Sequence, residues 1–210
     1  MLGPIEPVTY RAGTAVYRTN EPISHLIFVD RGLFTMARRI ENGQRPVIVS
    51  AAGGPSSILG LHTLMHPAPS LYDQNALTLL RGWTIHRDAI HAAISRDPVF
   101  GEEMQRLAHI VHAAIADRAA CRGVHTVEQR YCRQLMIFYR AMGPVIPVRR
   151  SAMARIVAIS RSRSFDISAN LGGIVTFHTN GLVIDDPAAL EQRACGCFHT
   201  LAEWKAGIED

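Results

Sequence analysis

The chain has no cysteine before Cys121, one lysine (Lys205) among its 22 basic residues, and no acidic residue but Glu128 between Arg118 and Arg163. The first absence excludes an N-terminal iron–sulfur cluster, which needs several thiolates close together. Cys121, Cys132, Cys195 and Cys197 have no zinc-ribbon spacing, and a chain of 210 residues does not need disulfides, so reduced thiols are expected. Cys195-Gly-Cys197-Phe-His199 offers soft ligand types. It reads instead as small half-buried residues in a terminal turn, and no metal is expected. No apolar run approaches the ~18 residues of a membrane span, and MLGPIEPVTYRAG has neither a basic nor an apolar leader region. A cytoplasmic chain with no membrane partner is expected. Nucleophile motifs, carboxylate pairs and metal triads are also missing, so neither an enzyme nor a bound cofactor is expected. His25, His62, His66 and His86 read as core or surface residues rather than haem ligands, and His62 with His66 makes only a weak metal pair.

What is present is a globular composition, 48% hydrophobic, with a net charge of +4 that is unevenly spread. Ten arginines fall between Arg118 and Arg163 against the single acid. A basic surface of that density attracts polyanions, nucleic acid above all.

Residues 1 to about 95 read as short strands with turn punctuation. Ile23–Val29 is followed by Asp30-Arg-Gly32 and then by Leu33–Arg39. Asn42-Gly43 is a two-residue hairpin signal before Pro46–Ser50. Asn75–Leu80 and Trp83–His86 come later. Strands this short and evenly spaced suggest a sandwich or jelly roll.

Asp97-Pro98 then opens a helix, an acceptor side chain at the cap with proline at the first position, and Glu102 and Glu103 near its positive end. Phe100, Met104, Leu107, Val111 and Ala114 recur by four and three, the pattern of a coiled-coil seam in a helix running to about Ala120. Four large residues from each of two partners offer ~10–20 kcal/mol gross, against ~4–15 kcal/mol for association. Thr126 and Gln129 form a capping box, so another helix starts near Val127. Its stripe is Val127, Tyr131, Leu135, Phe138 and Met142, with Arg130, Arg133 and Arg140 largely outside, and Gly143-Pro144 ends it.

The run Ala119, Cys121, His125, Val127, Glu128, Gln129, Arg130, Arg133 and Leu135 resembles the hinge of Crp/Fnr-type transcriptional regulators. It is closest to a bacterial subgroup with an AACN..H.VEQRLARWLL pattern there and a similar terminal CxC. The resemblance implies an α+β chain: an N-terminal β-roll of the cyclic-nucleotide-binding kind over 1–96, a dimerisation helix over 97–122, and a winged helix-turn-helix over 123–210. Ile174–Phe177, His-Thr-Asn-Gly181 and Leu182–Ile184 would be the wing, turning at Asn180-Gly181. Ser151–Ala158 and Arg161–Leu171 would be the two helices, joined through Ile159-Ser160. The function implied is a DNA-binding regulator, homodimeric through Phe100, Met104, Leu107, Val111 and Ala114, reading a palindrome in double-stranded DNA. Arg161 and Arg163 would face bases, with Ser160, Ser162, Arg149, Arg150, Arg155 and Asn180 as further DNA contacts. RNA polymerase would be another partner, beside an unknown small-molecule effector.

The chain departs from the family in two places. Cyclic-nucleotide-binding members place a Gly-Glu and an Arg-Ser or Arg-Thr pair in the phosphate pocket. Here ILGLH (58–62) has no acid and DQNA (73–76) no arginine, and a buried phosphate without its bidentate arginine is poorly held. Cyclic AMP dependence is therefore not expected. The subgroup's Glu-Gly is Ser56-Ser57 in this chain. In the helix-turn-helix, Arg149, Arg150 and Ser151 replace the usual Thr cap, Gln and Glu, Ala158 replaces the turn glycine, and Ser164 and Ser168 replace apolar packing residues. The recognition helix is thus expected to dock weakly, and the alternative is a β-roll interaction or small-molecule-binding protein with a degenerate helix-turn-helix.

Overall fold

The computed structural model describes residues 4–40, 46–55, 57–64 and 68–199. The hairpin signal Asn42-Gly43, together with Ser56 and His66, lies outside them. Two four-stranded antiparallel sheets face each other. One runs β1 (Ile5–Tyr10), β8 (Leu80–His86), β3 (His25–Arg31), β6 (Ser57–Leu59), and the other β2 (Ala15–Tyr17), β7 (Asp73–Ala76), β4 (Leu33–Arg38), β5 (Val47–Gly53).

Strand alternation assigns each side chain its layer. Ile27, Val29, Phe34, Met36, Leu59 and Leu80 fill the space between the sheets. Leu26 and Ile85 point out of the first sheet, toward the following helices. Leu33 and Ala37 point out of the second, toward the C-terminal half. Gly32 joins β3 to β4 at φ +111°, and a Cβ there would come within 2.4 Å of the Leu79 carbonyl oxygen, so no other residue fits.

Asn75–Leu80 is not one strand. The Leu77 amide donates to Leu33 O at 2.8 Å, and Thr78 Oγ1 accepts from Leu33 N at 2.9 Å, which breaks β7 from β8. The strand reading also missed α1 (Arg87–Arg96), whose cap is the unusual His86, Nδ1 accepting from Asp88 N at 3.2 Å.

Asp97 caps α2 (Pro98–Val124) through Oδ1, which accepts from Val99 N and Phe100 N at 3.0 and 3.3 Å. At 27 residues the helix is ~40 Å long. Its expected seam is already shared with the chain's own roll, because Phe100 and Leu107 pack on Leu26, Leu61, Ile85 and Ile90, and Met104 is 7% exposed. Val111, at 37% exposure, is the large seam residue left open.

Thr126 and Gln129 form the capping box of α3 (Val127–Met142). Arg133 and Gln134 are buried, against the expectation that Arg133 would lie outside the apolar stripe. The reason is a second neighbour: α3 packs on the helices beside it and on β5, where Gln134 Nε2 donates to Ala51 O at 3.1 Å. Beyond it come β9 (Val145–Ile146), α4 (Arg150–Val157), α5 (Arg161–Asn170), β10 (Val175–His178), β11 (Gly181–Ile184) and α6 (Pro187–Arg193). Strands β10, β11 and β9 form a small sheet. One apolar cluster runs from Leu33 and Ile48 of the roll through Tyr131, Leu135 and Phe138 to Ile167, Leu182 and Phe198.

Candidate nucleic-acid interface and sensor cavity

Helix α5 stands on three residues. Ser164, Ile167 and Ser168 are buried, leaving Arg161, Ser162, Arg163, Phe165, Asp166, Ala169 and Asn170 exposed. Both serines are hydrogen-bonded: Ser168 Oγ donates to Ser164 O at 2.7 Å, and Ser164 Oγ meets Tyr131 OH at 3.4 Å. A buried hydroxyl with a partner carries no desolvation penalty of consequence. The desolvation penalty behind the expected weak docking is therefore absent, and α5 packs on α4 with Ser164 reaching Tyr131 of α3. Ser160 is the α5 cap, its Oγ accepting from Arg163 N at 3.1 Å and meeting Ser162 Oγ at 3.0 Å.

At 100° per residue, the centre of the exposed face is Ser162 and Asp166, with Arg161 and Arg163 on its two flanks. Arg149 and Arg155 are exposed at the start and end of α4. Arg150 is not a free cation on this face. It is half-buried, with its guanidinium carbon 5.0 Å from the Phe165 ring centroid and 4.9 Å from that of Phe177. It thus ties α4 to both α5 and the wing. The wing pairs His178 with Gly181, so the two turn residues are Thr179 and Asn180, one position earlier than expected. Asn180 is exposed at its tip. Phe165, 61% exposed, was missed from sequence because an aromatic at that position fits a core as well as a surface.

Between the roll and α2 lies a cavity of ≈ 300 Å³, mostly apolar, with Phe34, Met36, Leu61 and Tyr72 on the roll side and Leu107, Val111 and Ala114 on α2. Its polar side chains include His62, Gln74, His112, Arg118 and Arg133, together with Ser50, Ser57 and Tyr72, and among the described residues no carboxylate lines it. Gln74 Oε1 accepts from Gly60 N at 3.3 Å, while Gln74 Nε2, His62 Nε2 and Arg133 Nε have no partner among the described residues. Burial lowers the His62 pKa, so it stays neutral at pH 7. The β7 stretch supplies no arginine, but α2 and α3 supply two. Arg118 donates to Gln134 Oε1 and to Ile156 O. Burial, then the Arg133 and Arg122 guanidiniums, push its pKa down to about 10. Of the four N-terminal histidines, His25 and His86 stack edge-on at 4.8 Å on neighbouring strands, away from this lining.

Four arginines, Arg118, Arg122, Arg130 and Arg133, line a smaller cleft with Cys121 at the α2–α3 hinge, and none forms a salt bridge among the described residues. The structure also gathers Cys121, His125, Cys195 and Cys197 beside it. Reading the terminal CxC as a turn missed this, and the available signal was Cys121 four residues before His125.

Residues 7–97 match the family model described as cyclic nucleotide-binding domain. Over 103 residues the chain is 25% identical to the CRP-like cAMP-activated global transcriptional regulator of Mycobacterium tuberculosis, covering 49% of this chain and 45% of that one. The chain spans about half the length of the curated relatives it matches. FixK2 from Bradyrhizobium japonicum superposes with a TM-score of 0.77 at 15% identity, over 92% of this chain and 98% of that chain. A CRP-family transcriptional regulator from Thermus thermophilus gives 0.70 at 17%, over 89% and 96%. At these identities the likeness is one of fold. The mixed helix-and-sheet architecture, a cyclic-nucleotide-binding-type roll followed by a long helix and C-terminal helices, is that of CRP/FNR regulators. Among the described residues no helix is long and apolar enough to cross a membrane.

Proposed function

We propose that this chain, a CRP-like regulator homologue with a cyclic-nucleotide-binding-type domain, is a DNA-binding transcriptional regulator that works as a homodimer on a palindromic site. The division of labour is a sensor roll over 1–96, a dimerisation helix over 97–122 and a DNA-reading unit over 123–210. The observation that carries the reading is α5: a docked helix beside a wing, with Arg161, Ser162 and Arg163 exposed in its first turn. An arginine there can donate twice to guanine O6 and N7, a pairing worth ~1–3 kcal/mol of discrimination. Phe165 offers an apolar contact to a thymine methyl and Asp166 an acceptor for cytosine N4. Arg149 and Arg155 stand where phosphates would run, and Asn180 at the wing tip adds a neutral contact. Arg150 holds these elements in register rather than meeting DNA itself.

The regulator acts without cyclic AMP. Among the described residues the cavity has no carboxylate for a ribose hydroxyl, and its guanidiniums come from the helices, not the strand stretch that would cradle a phosphate. Its effector is a small, largely apolar molecule with hydrogen-bonding groups for His62 and Gln74. RNA polymerase is a second macromolecular partner in this reading.

Selection against random duplexes, followed by anisotropy titration, tests it. Arg161→Ala should flatten preference at one position of each half-site. Arg149→Ala should weaken all sequences alike and lower the salt slope by about one per protomer. A wild type with no preference among duplexes at any salt refutes the proposal in favour of a β-roll interaction protein with a degenerate helix-turn-helix.

A further inference from the structure

Two segments far apart in sequence meet at the hinge. Cys121 lies in the last turn of α2 and His125 is its C-cap, four residues on, so both side chains reach the same side of the helix end. The turn after α6 brings Cys195 and Cys197 against them. Cys121 Sγ lies 3.5 Å from Cys195 Sγ, and Cys197 Sγ lies 3.7 Å from His125 Nδ1. All four ligand atoms fall within 4.8 Å of one another, Cys121 and Cys195 buried, His125 and Cys197 half-buried. The turn is held from below by buried Phe198, with Arg140 stacked 4.3 Å from its ring centroid, and internally by Phe198 N donating to Cys195 O at 3.0 Å.

We propose that Cys121, His125, Cys195 and Cys197 bind one thiophilic divalent cation, zinc, which clamps the C-terminal turn onto the end of α2. Three observations support it. Tetrahedral zinc with Zn–S of about 2.3 Å and Zn–N of about 2.0–2.1 Å sets its ligand atoms ~3.6–3.8 Å apart. Two edges already have that length, and the longest needs to close by only ~1 Å. Second, the donor set is the three-thiolate, one-imidazole combination of closed structural zinc sites. A cluster of several irons would need its ligands further apart, since each binds a separate iron.

The third observation is electrostatic. Arg118, Arg122, Arg130 and Arg133 share a cleft with Cys121, and among the described residues no acid lines it. Arg130 Nε and Arg133 Nε are buried without partners among the described residues. Buried guanidiniums are costly without a counter-charge. Three thiolates around a dication carry one net negative charge, which supplies it. On binding, three thiols release their protons to solvent and the neutral imidazole ligates through Nδ1, the ring nitrogen that faces Cys197. The inference does not rest on the DNA-binding reading, and either can fail without the other.

The test uses the full chain, purified under reducing conditions. Mass spectrometry of the metal content should find one zinc per chain. Exchange to cobalt should give a thiolate-to-metal charge-transfer band and the intense visible bands of a tetrahedral ion, saturating at one equivalent. His199→Ala, an exposed histidine outside the cluster, should keep the metal. Cys197→Ser should lose it, with affinity falling by more than the ~10–100-fold that changes around a ligand already cause. Folded, reduced wild type that takes up neither zinc nor cobalt overturns the proposal. So does a cobalt spectrum without thiolate charge transfer, and so does a Cys121–Cys195 disulfide in protein isolated without oxygen. The wild-type spectrum decides even if Cys197→Ser fails to fold.

Discussion

Replacing Ala158 by glycine should stabilise this protein, although it removes a methyl group. Ala158 closes α4 at φ 59° and ψ 58°, in the left-handed region. There a Cβ crowds the carbonyl oxygen at a cost of ~1–2 kcal/mol. The conformation is imposed by its neighbours, since the amides of Ala158 and Ile159 turn back to Arg155 O and Ala154 O at 3.2 and 2.9 Å. The side chain is exposed, so no packing is lost with it. Glycine removes the clash but loses ~0.5–1 kcal/mol more conformational freedom on folding. The net gain is ~0.5–1 kcal/mol, which for a chain of this length raises Tm by ~1–4 °C. Scanning calorimetry at fixed protein concentration measures it. Ala158→Val is the converse, because a β-branched residue fits the left-handed region worst, and its Tm should fall. A lower Tm for the glycine variant, or a higher one for valine, would refute the claim that this turn is strained.

Two further predictions concern the rest of the molecule. Val111→Arg should yield a monomer in sedimentation, because even one buried charge without a partner costs ~3–5 kcal/mol, more than ~100-fold in Kd. Val111 is chosen over Leu107 because Leu107 also packs on its own roll, and an undiminished dimer would place the seam elsewhere. Calorimetry with millimolar cyclic AMP should register no saturable heat, whereas micromolar binding would show that Arg118 and Arg133 can replace the missing phosphate cradle.

Much of this architecture is legible in the residues, and what is not legible has a common cause. Asp97-Pro98 and the Thr126–Gln129 box fix two helix starts because a cap is a local event, decided by side chains within three residues of the amides they satisfy. Strands β3 and β4 are readable for the same reason, with Gly32 between them. Failures occur where a distant segment decides the outcome. Thr78 is captured by Leu33, 45 residues away, and ends a strand that its own neighbours would continue. Phe100 and Leu107 satisfy a heptad pattern and yet pack on their own roll, because periodicity shows that a face is apolar without showing what covers it. Cys121 and Cys195 are 74 residues apart and touch. No spacing rule spans that distance.

The arginine-rich stretch gives the last case and the last prediction. Ten arginines from Arg118 to Arg163 suggest one dense basic face. In the fold, Arg133 is buried, Arg118 is engaged by Gln134 and Ile156, and both share the hinge cleft with Arg122 and Arg130. Arg140 pairs with Glu191 at 3.7 Å, and Arg150 lies between two aromatic rings. That leaves Arg149, Arg155, Arg161 and Arg163 exposed on the helix-turn-helix. If each met a phosphate, a dimer would neutralise about eight, and the logarithm of affinity would fall with that of salt at a slope near −7. All ten per protomer would give about −18. Because Arg161 and Arg163 are assigned to bases, the slope should be shallower than −7 and should drop by about two when Arg149→Ala removes one contact per protomer. Anisotropy titrations on one matched duplex across a range of salt concentrations measure both quantities. A slope steeper than about −10 would mean that the hinge arginines, of which Arg122 is exposed at the end of α2, also reach DNA and that the basic surface extends beyond the helix-turn-helix.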